Sequence, residues 1–291
     1  MSGTRSDVRS DVRADARADE GVGGDPDALD YFARAEALGG SFDQSAINAT
    51  YTTDYVKTAI SNCVTGLKVD GVWDDITEAY LMVGVSFGGI TAKLKHAGTA
   101  VVTNNNFVTG DYTGAGSGGG LTGDASTKYM ETGLVDSVLA VDDKSLSTYA
   151  ALAGANDKYF MAVRSETEQN RQYTIANIGG DFLGRCPETS ATIATGEAAV
   201  GHCIMTRRAD NDVEIYVNGI SKGTDTSTSD AVSASEDYYL FALNLEGSAA
   251  VHSDGTMTFA HLGAGLTDAQ ASDLTDRVEA LMDALGSGVI A

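Results

Sequence analysis

Between Asp210 and Gly223 apolar and polar residues alternate with a period of two. Val213, Ile215 and Val217 fall on one side, and Asp212, Glu214 and Tyr216 on the other. This is the period of a β-strand, whose successive side chains point to opposite faces. Asn218-Gly219 then breaks the run and Ile220 begins another. Asn-Gly between two such runs predicts a hairpin, because a type I′ turn needs positive φ at both central residues. A face with two carboxylates has no place in a core. The hairpin should therefore be half of a layer, with Val213, Ile215 and Val217 inward and Asp212 and Glu214 in solvent. Further strand patterns cover Lys128 to Met130, Leu146 to Leu152, Tyr159 to Val163, Tyr173 to Ile178, His202 to Arg208, Tyr238 to Leu245 and Thr256 to Leu262. Gly, Asn, Asp and Ser separate them, which predicts a mainly β chain folded as an antiparallel sandwich.

Toward both ends the apolar period lengthens to that of a helix. Asp25 and Pro26 form a helix start, Leu29, Phe32 and Ala33 share one side, and Gly39-Gly40 is the stop. Asp43 is expected to cap a second helix carrying Ile47, Tyr51, Tyr55, Ala59 and Cys63 at intervals of four. Val72-Trp73, Ile76 and Tyr80 suggest a short third helix. Near the other end, Thr267 to Gln270 reads as a capping box. Leu274, Val278, Leu281 and Leu285 form an apolar stripe that Gly286 closes, and this helix should cover part of the domain near the helical segment. The expected organisation is an extended arm over residues 1–24, a helical subdomain over 25–98, the sandwich over 99–265, and a closing helix and tail over 266–291.

The hairpin, from the charged loop at Asp210 through Tyr216-Val217-Asn218-Gly219 to Gly223, resembles the concanavalin A-like, laminin-G-type sandwich. Leu121 to Met130 (LTGDASTKYM) resembles the start of such sandwiches in bacteriophage virion proteins. His261 to Gly286 resembles their closing helix, and Asp25 to Phe42 the helical segment that precedes the sandwich there. The resemblance covers roughly Asp25 to Ala291, with the motifs in the same order. It implies a jelly-roll sandwich in a structural or host-contacting phage protein, and it brings no catalytic residues with it.

Charge narrows the partners. The net charge of −22 argues against nucleic acid, whose phosphates need basic patches, and against anionic membranes. No apolar run is long enough to span a bilayer, and the N-terminus lacks the apolar stretch of a signal peptide. Together with the resemblance, this leads us to expect synthesis in a host cytoplasm and a place in the virion. Residues Arg5 to Glu20 repeat as RSDV, RSDV, RADA, RADE. In a helix, like charges would stack at i and i+4; in an extended chain, Arg and Asp alternate along one edge. The segment is either a solvated tail or an arm that orders on a partner. We favour the arm, with Arg5, Arg9, Arg13 and Arg17 as its contacts to coat or tail subunits, strengthened by multiple copies in a homo-oligomer.

Candidate chemistry is sparse. Cys63, Cys186 and Cys203 are odd in number, without a C-x-x-C pair, and read as small core residues. His96, His202, His252 and His261 stand apart at no ligand spacing, and there is no G-x-S-x-G. The glycine-rich run Gly110 to Gly123 lacks a GK[ST] ending and reads as a flexible surface loop. Asp210 and Asp212 are weak calcium candidates, or simply a charged turn before a strand, because the twelve-residue ligand loop is absent. Tyr238 and Tyr239 are candidates for stacking a sugar, although alternation sends one of them inward. Trp73 reads as a core residue. The leading expectation is a non-enzymatic virion surface protein, as capsid decoration, head fibre or tail component, with a lectin-like sandwich and no required cofactor. The alternatives are a receptor-binding tail fibre or spike lectin gripping host surface glycans, and a polysaccharide-cleaving enzyme with paired carboxylates on a concave face.

Overall fold

A computed structural model describes residues 24–164, 172–185, 192–229 and 235–290. Three α-helices lie among them: α1 (Pro26–Ala37), α2 (Thr53–Val69) and α3 (Asp268–Ala284). The strands, in chain order, begin with β1 (Ile76–Leu81), β2 (Lys93–Lys95), β3 (Thr103–Asn105), β4 (Tyr112–Thr113), β5 (Gly120–Thr122) and β6 (Tyr129–Val135). They continue with β7 (Lys144–Leu152), β8 (Lys158–Arg164), β9 (Gln172–Ile178), β10 (Asp181–Arg185), β11 (Thr192–Ala198) and β12 (Gly201–Ala209). They end with β13 (Asp212–Val217), β14 (Ile220–Asp225), β15 (Asp237–Leu240), β16 (Leu243–Leu245), β17 (Ser248–Ala250) and β18 (Thr256–Gly263).

Two sheets form a sandwich. The first runs β14-β13-β12-β7-β18-β1-β2, with β5 on β18 and β4 on β5. The second runs β11-β10-β9-β8-β15-β6-β3, with β16 on β8 and β17 on β16. Pairing is antiparallel except where β16 runs parallel to β8. The expected hairpin is β13–β14, and its turn residues Asn218 and Gly219 take φ of 54° and 74°, as a type I′ turn requires. Val213, Ile215 and Val217 are buried between the sheets. The sheets touch closely there: a Cβ on Gly184 of β10 would sit 2.7 Å from Ile215 Cδ1 and 2.7 Å from Met205 Sδ. A larger residue there would have to displace the ends of both side chains.

The other face of the first sheet is not wet. Glu214, expected in solvent, is only 6 % exposed. Arg208 is the reason: its guanidinium forks onto Asp212 at 2.9 and 2.8 Å, donates to Glu214 at 2.7 Å, and also meets Asp268 in the first turn of α3. Helix α3 lies over this face, and α2 packs against α3. Arg277 of α3 joins Asp70 just beyond α2 at 2.7 Å, and His202 of β12 bonds Thr275 of α3 at 3.0 Å. Thr267 and Gln270 close the expected capping box of α3.

Three expectations need correction. The third helix is a single 3-10 turn, Trp73–Asp75, followed by strand β1, which pairs with β18 and β2. Its side chains are buried on both sides, so the alternation that marks a strand is missing from its sequence. Residues within 72–98 thus build part of the first sheet, and the segment 25–98 is not wholly helical. The second helix starts at Thr53, capped by Thr52; Asp43 instead holds a turn through Ser45 N, and Ile47 lies before the helix, 52 % exposed. The glycine-rich run is a packed segment containing β4 and β5. A Cβ on Gly120, whose φ is +133°, would sit 2.6 Å from the Met257 carbonyl oxygen.

Candidate functional site

The outer face of the second sheet gathers aromatic rings and carboxylates. In the β15–β6 pair Tyr239 lies opposite Glu131, and in the β3–β6 pair Thr103 also lies opposite Glu131 and Asn105 opposite Tyr129. Opposed residues share a face, so these side chains stand together. Their neighbours Met130 and Leu240 point into the core, whereas Tyr129 and Glu131 keep partial exposure. The Tyr129 and Tyr239 rings lie 4.9 Å apart, tilted by 33°, and the His252 ring meets Tyr129 edge-on at 5.8 Å. Glu131 Oε1 accepts from Asn105 Nδ2 at 3.3 Å and from the Tyr129 hydroxyl at 3.4 Å. Asp237 is drawn in beside them. Its carboxylate accepts from Gly133 N at 2.8 Å and Asn244 Nδ2 at 3.1 Å.

The electrostatics are those of a half-buried acidic platform. Burial raises the pKa of Asp237, and repulsion from Glu131 adds to it. Burial also raises the Tyr239 phenol, with the negative charges of Asp237 and Glu131 acting in the same direction. Burial lowers His252, with Asp124 opposing and Lys158 reinforcing the shift. Such a surface offers ring faces for the C–H side of a pyranose and acceptors for its hydroxyl groups.

The tyrosine pair expected to stack a sugar divides. Tyr238 is fully buried and its hydroxyl donates to Asp136, which also pairs with buried Lys144 at 2.7 Å. It is no glycan contact. Tyr239 belongs to the outer face, but only 4 % of it is exposed because Tyr129 lies across it. The exposed ring is therefore Tyr129, which sequence reasoning took only as the start of a strand. Tyr129 and Glu131 stand two residues apart in one strand, and that period places them on one face. Asp237 stands two residues before Tyr239 in β15 and carries the same period, but only the pairing of β15 with β6 brings it beside Glu131.

The other candidates do not converge. Asp212 is held by both nitrogens of the Arg208 fork, and Asp210 Oδ1 accepts from Ser229 N at 2.7 Å. No group of three or more metal-ligating side chains occurs among the described residues. Arg5, Arg9, Arg13, Arg17 and Cys186 lie outside the described residues. Cys63 and Cys203 are buried thiols, as expected of small core residues. His202 and His261 are fully buried, and desolvation pushes both down to about 3.

A cleft of about 560 Å³ opens between α1, Trp73 and the end of β2. Its charges are mutually engaged: Lys68 with Asp25 and Asp27 at 2.6 and 2.7 Å, Arg34 with Asp30, and the Trp73 indole N–H with Asp27 at 2.9 Å. Lys95 donates to the Trp73 carbonyl and lies over its ring at 4.9 Å. The cleft reads as a brace between α1 and the first sheet, and Trp73, 4 % exposed, is a core residue as expected.

No family model matches the chain, and no curated protein matches it. Solved structures give remote likenesses. The NanB sialidase from Streptococcus pneumoniae is 15 % identical with a TM-score of 0.42; the match covers 52 % of this chain and 26 % of that one. The chain thus spans about a quarter of the sialidase's length. Domain 4 of AbnA, a GH43 extracellular arabinanase from Geobacillus stearothermophilus solved with arabinotriose, is 14 % identical over 69 % of this chain and 98 % of that one, with a TM-score of 0.44. The binding domain of botulinum neurotoxin serotype D is 12 % identical over 70 % of this chain and 52 % of that one, with a TM-score of 0.49. None of these scores reaches 0.5, and no ligand or activity is carried over from them to this chain.

Proposed function

We propose that this protein is a non-enzymatic, glycan-binding β-sandwich protein, displayed on a virion surface and attached there through its N-terminal arm. The observation that carries the glycan reading is the outer face of the second sheet. Tyr129 stacks on Tyr239, and Glu131, Asp237 and Asn105 supply polar groups around the rings. Aromatic side chains present a broad apolar surface at small entropic cost, and pyranose rings match it. The virion reading is supported by the four ordered sequence motifs and by the arginine-bearing repeat. Glu131 and Asp237 could serve a hydrolase. However, each has hydrogen-bond donors engaged on it.

The test is a glycan array probed with the whole chain and with Tyr129→Ala. Binding by the wild type that falls at least about tenfold in the variant, while the melting temperature holds, supports the reading; tenfold is about 1.4 kcal/mol, in the range of one aromatic stack. Equal binding by the two proteins would sink it. Release of reducing ends from any bound glycan would replace it with the enzymatic alternative.

A further inference from the structure

The platform on the second sheet has more negative charge than a neutral sugar requires. Glu131 and Asp237 both act on the Tyr239 phenol, and Glu131 also disfavours ionisation of Asp237. Two lysines close to the platform's strands are engaged elsewhere, and a third lies to one side. Lys93, beneath the sheet, is held by both oxygens of Glu78 at 2.8 Å and by the Thr132 carbonyl at 2.7 Å. Lys128 pairs with Asp111 at 2.6 Å. Lys158 acts on His252, at the flank. An independent observation points the same way. The Tyr239 ring is almost wholly covered, yet its hydroxyl has no partner among the described residues, and it stands on this face two residues from Asp237 in β15 and opposite Glu131 of β6.

Two stacked aromatic rings rimmed by carboxylates favour a cation. Ring faces attract a cation within about 6 Å of their centroids, and the effect grows as the site is desolvated. A carboxylate beside them turns the contact into a charge-assisted hydrogen bond. A carboxylate-bearing sugar would meet like charge here, on a chain whose net charge is already −22.

We propose that this face recognises its glycan through a protonated amine, as carried by an unacetylated amino sugar, with the ammonium between the Tyr129–Tyr239 rings and the carboxylates of Glu131 and Asp237. This rests on the glycan-binding reading above. The Tyr239 hydroxyl and Asn105 then remain for the sugar's own hydroxyl groups.

The experiment uses the whole chain and matched oligosaccharides presented with free amines, with N-acetylated amines, or with carboxylates in place of amines, on an array and then by calorimetric titration. The free-amine form should bind about tenfold or more tighter than its acetylated twin, a difference within the range of a desolvated cation–aromatic contact. Glu131→Gln should shrink that preference, and Glu131→Gln with Asp237→Asn should reduce it to less than about twofold, as should raised salt. The single Glu131 variant, at a partly exposed position, keeps the test valid if the double variant fails to fold. Equal or tighter binding of acetylated or acidic forms would overturn the amine inference and leave the glycan reading standing. So would a free-amine preference unchanged in the variants, or binding that is lost on chelating calcium. Binding of no glycan at all would remove both.

Discussion

The two outer faces of the sandwich are written in similar residues and put to different uses. On the first sheet, β12 and β7 present His202, Ser145, Ser147 and Tyr149, and β13 presents Glu214 and Tyr216. All are buried, and α3 meets this face through Thr275, Glu279 and Asp268. Several polar groups there are turned into joints. His261 bonds Ser145 and Ser147 at 3.0 and 2.5 Å, and the Tyr216 hydroxyl donates to Asp268 at 2.8 Å. On the second sheet, β6 and β15 present Tyr129, Glu131 and Asp237, which keep part of their surface. Alternation along a strand thus marks two faces but does not say whether a polar face meets water, a ligand or a helix.

The largest effect that would break this comparison is at Arg208. It is the shared partner of Asp212, Glu214 and Asp268. Arg208→Ala leaves the Glu214 carboxylate covered by α3 without its cation. Breaking a buried pair costs about 3–5 kcal/mol, and the partial exposure of Arg208 brings the expectation down to about 2–4 kcal/mol. Chemical denaturation of the variant measures it. A loss under about 0.5 kcal/mol, the size of an ordinary surface change, would mean that the covered face is held by apolar packing alone.

How much of this was legible follows the same division. The hairpin was readable to the residue, because Asn218-Gly219 fixes the turn and the apolar positions fix the inward face. The closing helix was readable because its capping box and stripe are local. Glu214 was misplaced because its burial depends on Arg208 and on a helix more than fifty positions away in sequence. Strand β1 was read as helix because burial on both faces erases the period of two. The ring platform was half visible. Tyr239 was singled out, but the roles of Tyr129 and Asp237 come from the pairing of β6 with β15, which is long-range.

A second effect separates the faces by pH. Glu279 of α3 sits over Tyr149, whose hydroxyl donates to it, and also accepts from Ile290 N at 3.2 Å. Burial raises its pKa from the usual 4.5 to about 7. Between those values the folded chain holds a proton that the unfolded chain has released. This stabilisation is therefore complete below 4.5 and is lost as pH rises through about 7. Glu279→Gln removes the titration. The stability difference between wild type and variant should shift against the wild type by roughly 1–3 kcal/mol from pH 4.5 to 7.5. A difference that stays flat across that range would show that the carboxylate is solvated in the folded chain.

The smallest expected effect on stability sharpens the contrast most. Glu131 occupies a strand position comparable to that of Glu214, but on the bare face, where Asn105 Nδ2 and the Tyr129 hydroxyl are its partners at 3.3 and 3.4 Å. Both contacts are long, and the side chain keeps access to water, so little is lost when the charge goes. Glu131→Gln preserves the shape and one acceptor oxygen. It also removes the repulsion that opposes ionisation of Asp237. These two terms are small and opposed, and the net change should stay within about 0.5 kcal/mol, the usual span for surface substitutions. Paired denaturation curves of Glu131→Gln and wild type decide it. A clear stabilisation, by about 1 kcal/mol or more, would mean that the platform stores like-charge strain in the folded protein, as binding surfaces do when a ligand is meant to relieve it. A loss of the size expected at Arg208 would mean that Glu131 is a structural joint after all. The second face would then be built on the same terms as the first.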